Sequence, residues 1–151
     1  MIFLSISKEI LFLLAAFFAG VAMASQGSMN SAVSKAIGLS QSTFVVHFSA
    51  TLLMVLILVS GIDKGNWNNY LQVPWYYYLG GVIGVAITYG VVISIPRLGA
   101  AVATTAIIVG QVLTACIIDH LGLFGLEKAP FTWWKLLGLI FLSIGAKLML
   151  G

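Results

Sequence analysis

Five long apolar stretches alternate with short, more polar connections along the chain. The stretches cover about residues 8–37, 42–61, 74–95, 97–119 and 132–150. Each has at least about the 20 residues that an α-helix needs to cross the hydrocarbon core of a bilayer. The pattern predicts an all-α membrane protein in which residues 1–151 form a single five-helix transmembrane domain.

The connections contain residues that commonly end or begin helices. Gly38 is a suitable C-terminal cap for the first helix, and Ser40 to Ser42 are suitable N-caps for the second. Pro96 predicts a sharp break between the third and fourth helices, because proline cannot continue a helix but can begin one. The longest connection, 61–73, is interpreted as a polar loop.

The first helix has small side chains at every fourth position, which places them along one stripe. In a membrane, small residues let helix backbones approach closely, so the stripe predicts a packing seam. Gln26 and Asn30 are also four residues apart and lie on the opposite face of the same helix. The stripe consists of Ala16, Gly20, Ala24, Ser28, Ala32 and Ala36.

Composition supports the membrane assignment and excludes several kinds of chemistry. Hydrophobic residues make up 61% of the chain and charged residues only 7%, with a mean hydropathy of +1.11. No Asp or Glu lies within the core of a predicted span, which argues against a cation exchanger that depends on a buried carboxylate. The sequence has no metal-ligand cluster, no phosphate-binding glycine-rich motif and no catalytic triad pattern. We therefore expect neither an enzyme nor a cofactor.

Basic residues are almost evenly divided between the two faces that five spans create. Lys and Arg near span ends normally fix orientation, and a balance of four against three gives almost no bias. The balance predicts insertion in both orientations and an antiparallel pair of chains. The open alternative is that the difference of one charge, or another factor, fixes a single orientation. One face has Lys8, Lys64, Lys128 and Lys135, and the other has Lys35, Arg97 and Lys147.

Tryptophan placement supports an antiparallel pair. Trp67, Trp75, Trp133 and Trp134 all fall on one predicted face, so a single chain anchors only one membrane interface with tryptophan. A second copy in the opposite orientation supplies the missing anchor at the other interface.

Several spans have a polar side chain at membrane depth, where such groups tend to face a bundle interior or a water-filled cavity. We predict that they line a substrate cavity, with Arg97 shaping the electrostatics of its mouth. The uncharged character of the set fits a neutral, zwitterionic or anionic substrate better than a simple cation. Each residue also has a structural alternative, such as a hydrogen bond between helices, a neutral core histidine or an arginine that reaches the headgroups. The candidates are Gln26, Asn30, His47, Tyr89 and Gln111.

Several segments together resemble the YdcZ-like family of the drug/metabolite transporter superfamily. The resemblance covers nearly the whole chain and includes the Gln-x-x-x-Asn pattern of Gln26 and Asn30. The other matching segments are Pro74–Gly81, Pro96–Ala101, Gly110–Gln111 and Ile118–Gly125.

The resemblance implies a five-helix unit that pairs with an inverted copy to form a ten-helix transporter in the prokaryotic inner membrane. Inverted repeats place the substrate near the midplane, between the repeats. The expected function is secondary transport or export of small metabolites by alternating access, as a dual-topology antiparallel homodimer. Two alternatives remain open: a passive dual-topology channel, and a non-transporting subunit of a heteromeric membrane complex.

Overall fold

The computed structural model describes the backbone of residues 2–62 and 65–150 and the side chains of 9–62 and 65–149. The described segments form an all-helical structure, as the sequence predicts. The side chain of Lys8 and the whole of Lys64, both counted in the charge comparison, lie outside the described residues. The helices are α1 Ile2–Ile37, α2 Leu39–Ser60, α3 Gly80–Leu98, α4 Ala100–Leu121 and α5 Trp133–Leu150.

Four helical stretches in the described residues are long and apolar enough to cross a membrane. They are Glu9–Ile37, Leu39–Ser60, Trp75–Leu98 and Ala100–Leu121. The third includes the 3₁₀ helix Trp75–Leu79, which leads directly into α3. Helix α5 has 18 residues, and its crossing of the membrane stays a prediction.

The first four helices pack together, and α5 packs on α4. Helix α1 contacts both α2 and α3, and α3 also contacts α2 and α4. Large apolar side chains point outward along the described helices, as with Phe12 and Phe141, each 71% exposed. This arrangement suits a bilayer, where lipid tails cover outward apolar surface and close packing holds helices together.

Single glycines connect α1 to α2 and α3 to α4. Gly38 ends α1, as predicted, but α2 begins at the next residue, so the predicted serine N-caps are wrong. Ser40 and Ser42 instead lie inside the first turns of α2, and Ser42 is fully buried. Because the connection is so short, these hydroxyl groups face neighbouring helices rather than capping their own.

The helix break predicted at Pro96 is also wrong. Helix α3 continues through Pro96 to Leu98 and ends at Gly99, whose φ of 81° is positive. Pro96 is tolerated because it lies in the last turn, where its missing N–H removes only one hydrogen bond before the helix stops. Arg97 therefore lies at the C-terminal end of α3, where a cation is favourable to the helix dipole, and not at the start of α4.

Close packing on α1 occurs beside the predicted small-residue stripe and not along it. Gly27 and Ser31 are buried, whereas Gly20 is exposed. A Cβ atom built at Gly27 would lie 2.8 Å from Val91 Cγ1, while one at Gly20 has no heavy atom within 4 Å. Within one chain, the stripe around Gly20 therefore borders open space.

Candidate functional site

A groove of about 430 Å³ lies between α1, α3 and α4. The small side chains of Ala16, Gly20 and Ala24 form much of its α1 wall, because they leave the space that larger residues would fill. Ile87, Val91 and Ile95 of α3 line the facing side. The groove is therefore a direct consequence of small residues repeated along one face of α1.

Thr104 and Gln111, both on α4, are the polar side chains in the lining of this groove. Gln111 is the predicted site residue that the structure places there. The residues lining the groove have no charged side chain, so its surface is apolar with two uncharged hydrogen-bonding groups. Ligand sites commonly combine an apolar wall with a few polar groups that fix orientation.

Asn30 belongs to a different environment, between α1 and α2. It is 9% exposed, and its backbone carbonyl accepts a hydrogen bond from Ser42 Oγ at 3.1 Å. Ser31, next to Asn30 on α1, and Thr43, next to Ser42 on α2, are also buried. Thr43 Oγ1 is buried without a hydrogen-bond partner among the residues that the structure describes. A buried unpaired hydroxyl is uncommon because it loses its bonds to water.

His47 and Tyr89 contribute to a polar interface between α2 and α3. Tyr89 Oη lies 2.7 Å from Ser40 Oγ, and His47 Nε2 lies 3.2 Å from Thr88 Oγ1. Ser40 and His47 are seven residues apart on α2, so they share one face of the helix. Two hydrogen bonds thus join α2 to α3 at different depths.

Thr88 determines how His47 participates in this interface. The Thr88 hydroxyl donates its single proton to the carbonyl of Gly84 at 3.0 Å. Its oxygen also lies within hydrogen-bond distance of His47 Nε2, at 3.2 Å. When Nε2 carries the ring proton, His47 donates to this oxygen.

Gln26 and Arg97 are exposed and are not part of the groove lining. Gln26 lies on α1, one turn before the buried Asn30. Arg97 lies in the last turn of α3, and Lys35 occupies the corresponding last turn of α1. Both basic side chains therefore lie at helix C-termini near the single-glycine connections.

Within one chain, four of the five predicted polar residues occupy three places, and Gln26 lies outside them. Gln111 is in the groove, Asn30 is at the α1–α2 contact, and His47 with Tyr89 is at the α2–α3 contact. Sequence reasoning did not single out the serine and threonine partners on α2 and α3. The signal available was the polar spacing on α2, where Ser40, Thr43 and His47 follow one helical face.

The described side chains contain no cluster of three or more His, Cys, Asp or Glu able to hold a metal ion. Cys116 is a free, half-buried thiol on α4. The polar groups at membrane depth are hydroxyl, amide and imidazole groups, which form hydrogen bonds to uncharged or partly charged ligands. This chemistry suits recognition and passage of a solute.

The chain matches a family model over residues 11–148. The family is DMT_YdcZ, described as "Putative inner membrane exporter, YdcZ". No curated protein and no solved structure matches the chain.

Proposed function

Because this chain belongs to the YdcZ family of inner membrane exporters, which are transporters and not enzymes, we propose that it exports small metabolites by alternating access. In this proposal two chains of opposite orientation form an antiparallel homodimer. Each chain contributes five spans, with α5 as the fifth. The ten helices enclose one substrate chamber.

The groove between α1, α3 and α4 is the observation that carries this proposal. It is open on the outside of the chain, and the exposed side chain of Phe17 is part of its lining. A second copy placed over it would close the groove into a chamber with two Gln111 side chains. Transporters built from inverted repeats bind substrate in such a position, near the midplane between the repeats.

The polar residues take different roles in this mechanism. Gln111 binds substrate directly from the groove wall. His47, Tyr89 and Asn30 lie at helix contacts, and they reach substrate when α2 moves relative to its neighbours. Gln26 faces the second copy, and Arg97 shapes the electrostatics of the chamber mouth.

The uncharged lining of the groove supports a neutral, zwitterionic or anionic substrate. A bare cation entering an apolar cavity would lose its hydration without gaining a carboxylate partner. Amide and hydroxyl groups can instead pair with the polar groups of an uncharged or zwitterionic solute. We therefore place simple cations outside the substrate range.

The experiment uses purified protein in lipid vesicles loaded with an isotope-labelled metabolite extract. Mass spectrometry identifies the labelled compounds that leave the protein-containing vesicles faster than they leave protein-free vesicles. We expect saturable efflux of a small set of compounds by the wild type. We expect at least about a fivefold loss with Gln111→Leu, because removing a partner for a buried polar substrate group costs about 1–3 kcal/mol.

Gln72→Leu is the matched control, since the same change is made in the α2–α3 connection, away from the groove. It should leave efflux at the wild-type rate. Equal efflux from wild-type, Gln111→Leu and protein-free vesicles would reject the transport proposal. Efflux that rises linearly with concentration and is accompanied by unitary currents would identify a passive channel instead.

A further inference from the structure

The connection between α2 and α3 is folded into a defined unit rather than an extended polar loop. Its 3₁₀ helices cover Trp67–Gln72 and Trp75–Leu79. The rings of Tyr70 and Tyr78 stack with centroids 4.5 Å apart, and Tyr78 Oη donates to the Tyr70 carbonyl at 2.6 Å. Asn66 caps the first of these helices by accepting from Asn68 N at 3.0 Å. These contacts hold the two 3₁₀ helices together.

The surface of this unit exposes large apolar side chains, although its sequence contains Asn66, Asn68 and Asn69. Leu71 is 90% exposed, Trp67 70% and Trp75 72%. Residues 65–96 contain no charged side chain. Leaving such surface in water costs about 25 cal/mol for every Å² of apolar area. Three large apolar side chains on a folded connection therefore require a covering partner.

The position of the unit identifies the bilayer as that partner. The connection joins the end of α2 at Ser60 to the start of α3 at Gly80, and both helices have the length and composition of membrane spans. The unit therefore lies where these two helices meet the membrane surface. Tryptophan and tyrosine favour the membrane–water interface, where the ring meets the acyl chains and the polar atom meets the headgroups.

We propose that residues 66–79 lie in the headgroup region of one leaflet as an interfacial anchor. Trp67, Leu71 and Trp75 reach the boundary between headgroups and acyl chains. Asn69, on the opposite side of this 3₁₀ helix from Trp67 and Leu71, provides hydrogen-bonding groups for the hydrated side of the same region. The anchor fixes the depth of the α2–α3 end of the bundle, and it does so in whichever orientation the chain is inserted.

Tryptophan fluorescence tests the anchor on the full-length protein. Replacing Trp75, Trp133 and Trp134 with Phe leaves Trp67 as the reporter. The variant is reconstituted into phosphatidylcholine vesicles that contain lipid brominated either near the headgroup or near the end of the acyl chain. We expect blue-shifted emission, at least twofold stronger quenching by the shallow bromolipid than by the deep one, and weak quenching by aqueous iodide.

Other quenching patterns would overturn the proposal. Strong iodide quenching with no bromolipid effect would place Trp67 in water. Protection from both iodide and bromolipid would show that protein covers this surface, with a second copy as the leading occupant. Size-exclusion chromatography confirms that the reporter variant retains the wild-type assembly before the measurement.

A pair of glutamate substitutions provides a second test in the same reporter background. Leu71→Glu puts a charge on the proposed lipid-facing side, and it should reduce shallow bromolipid quenching of Trp67 at least twofold. Asn69→Glu introduces the same charge on the opposite side of the 3₁₀ helix, assigned to the hydrated side, and it should leave the quenching unchanged. Equal effects of the two substitutions would contradict the proposed orientation of the anchor.

Discussion

Gly38 and Gly99 have the same backbone conformation at equivalent positions in the fold. Their φ and ψ angles are 96° and 157° at Gly38, and 81° and 157° at Gly99. Each is the single residue between two helices, and each carbonyl accepts a hydrogen bond from the N–H four residues later, in Ser42 and Ala103. The α1–α2 and α3–α4 hairpins therefore share one turn geometry.

This geometry predicts a specific cost for Gly99→Ala. Positive φ with extended ψ is a region that essentially only glycine occupies, and a side chain there costs about 1–3 kcal/mol. A Cβ atom at Gly99 meets no heavy atom within 4 Å, so the loss reflects backbone strain rather than a clash. We expect a lower midpoint of thermal unfolding for the purified protein in detergent.

Gly110→Ala is the control for this substitution. Gly110 lies inside α4, and a Cβ there also has no heavy atom within 4 Å. Alanine is favoured over glycine in a helix interior by about 0.5–1 kcal/mol, so the control should unfold at an equal or higher temperature. Equal losses at both positions would show that the turn does not require glycine.

The buried and exposed glycines of α1 predict opposite effects of alanine. At Gly27 the new Cβ would lie 2.8 Å from Val91 Cγ1 and 3.2 Å from Ile95 Cδ1, so these side chains must shift or α1 and α3 must separate. Overpacking of this kind costs about 1–3 kcal/mol. Gly27→Ala should therefore lower the unfolding midpoint in detergent.

Gly20→Ala is the matched substitution on the same helix, at the open wall of the groove. It should unfold at the wild-type temperature or above, because it adds a helix-favouring residue without a contact. The same loss of stability at Gly20 and Gly27 would mean that the groove is filled by protein in the purified form.

The unpaired hydroxyl of Thr43 predicts a stabilising substitution. Thr43 is 4% exposed, and its Oγ1 has no partner among the described residues, so it bears a desolvation cost of about 1–3 kcal/mol. Thr43→Val keeps the branched shape and removes the hydroxyl. We expect a gain of about 1 kcal/mol in the free energy of unfolding, measured by denaturant titration in detergent.

Ser42→Ala should change stability in the opposite direction. Ser42 Oγ donates to the Asn30 carbonyl, and its removal leaves a buried acceptor with one bond fewer. We expect a loss of about 0.5–1.5 kcal/mol. Destabilisation by Thr43→Val as well would indicate that a bound water or ligand pairs with the hydroxyl.

The sequence was sufficient to predict the helical class, because apolar runs of membrane-spanning length are a strong signal. It was misleading about helix ends near Ser40 and Pro96. Local preferences predicted a cap and a break there, but glycine turns of one residue determined the actual ends. Local sequence does not distinguish a glycine with positive φ from a glycine inside a helix, such as Gly110.

The candidate site was predictable only as a set of residue types. Depth along each span was used to select polar residues, but the rotation of each helix decides which neighbour a side chain faces. Tyr89 and Thr88 are adjacent in sequence, yet they bond to Ser40 and His47 at separate levels of α2. Such pairing depends on the relative positions of α2 and α3, which the order of residues does not specify.

The antiparallel homodimer makes a prediction about cross-linking along α1. Ala24 lies near the middle of the apolar stretch Glu9–Ile37, and Ala16 and Ala32 are each eight residues from it, or about 12 Å along the helix. If the groove faces of two opposite chains meet, Ala16 of one copy comes to the depth of Ala32 in the other. Two differently tagged chains, one with Ala16→Cys and one with Ala32→Cys, are co-expressed in a Cys116→Ala background.

We expect a short bifunctional thiol reagent in native membranes to join the two tagged chains, giving a mixed dimer on a denaturing gel. Each single variant expressed alone should give at least fivefold less dimer, because like positions then lie on opposite sides of the midplane. In a parallel pair the result reverses, since equal depths meet and each variant cross-links to itself. Cross-linking of each variant to itself, with no mixed dimer, would therefore reject the antiparallel assembly. It would require a chamber in which both grooves have the same orientation.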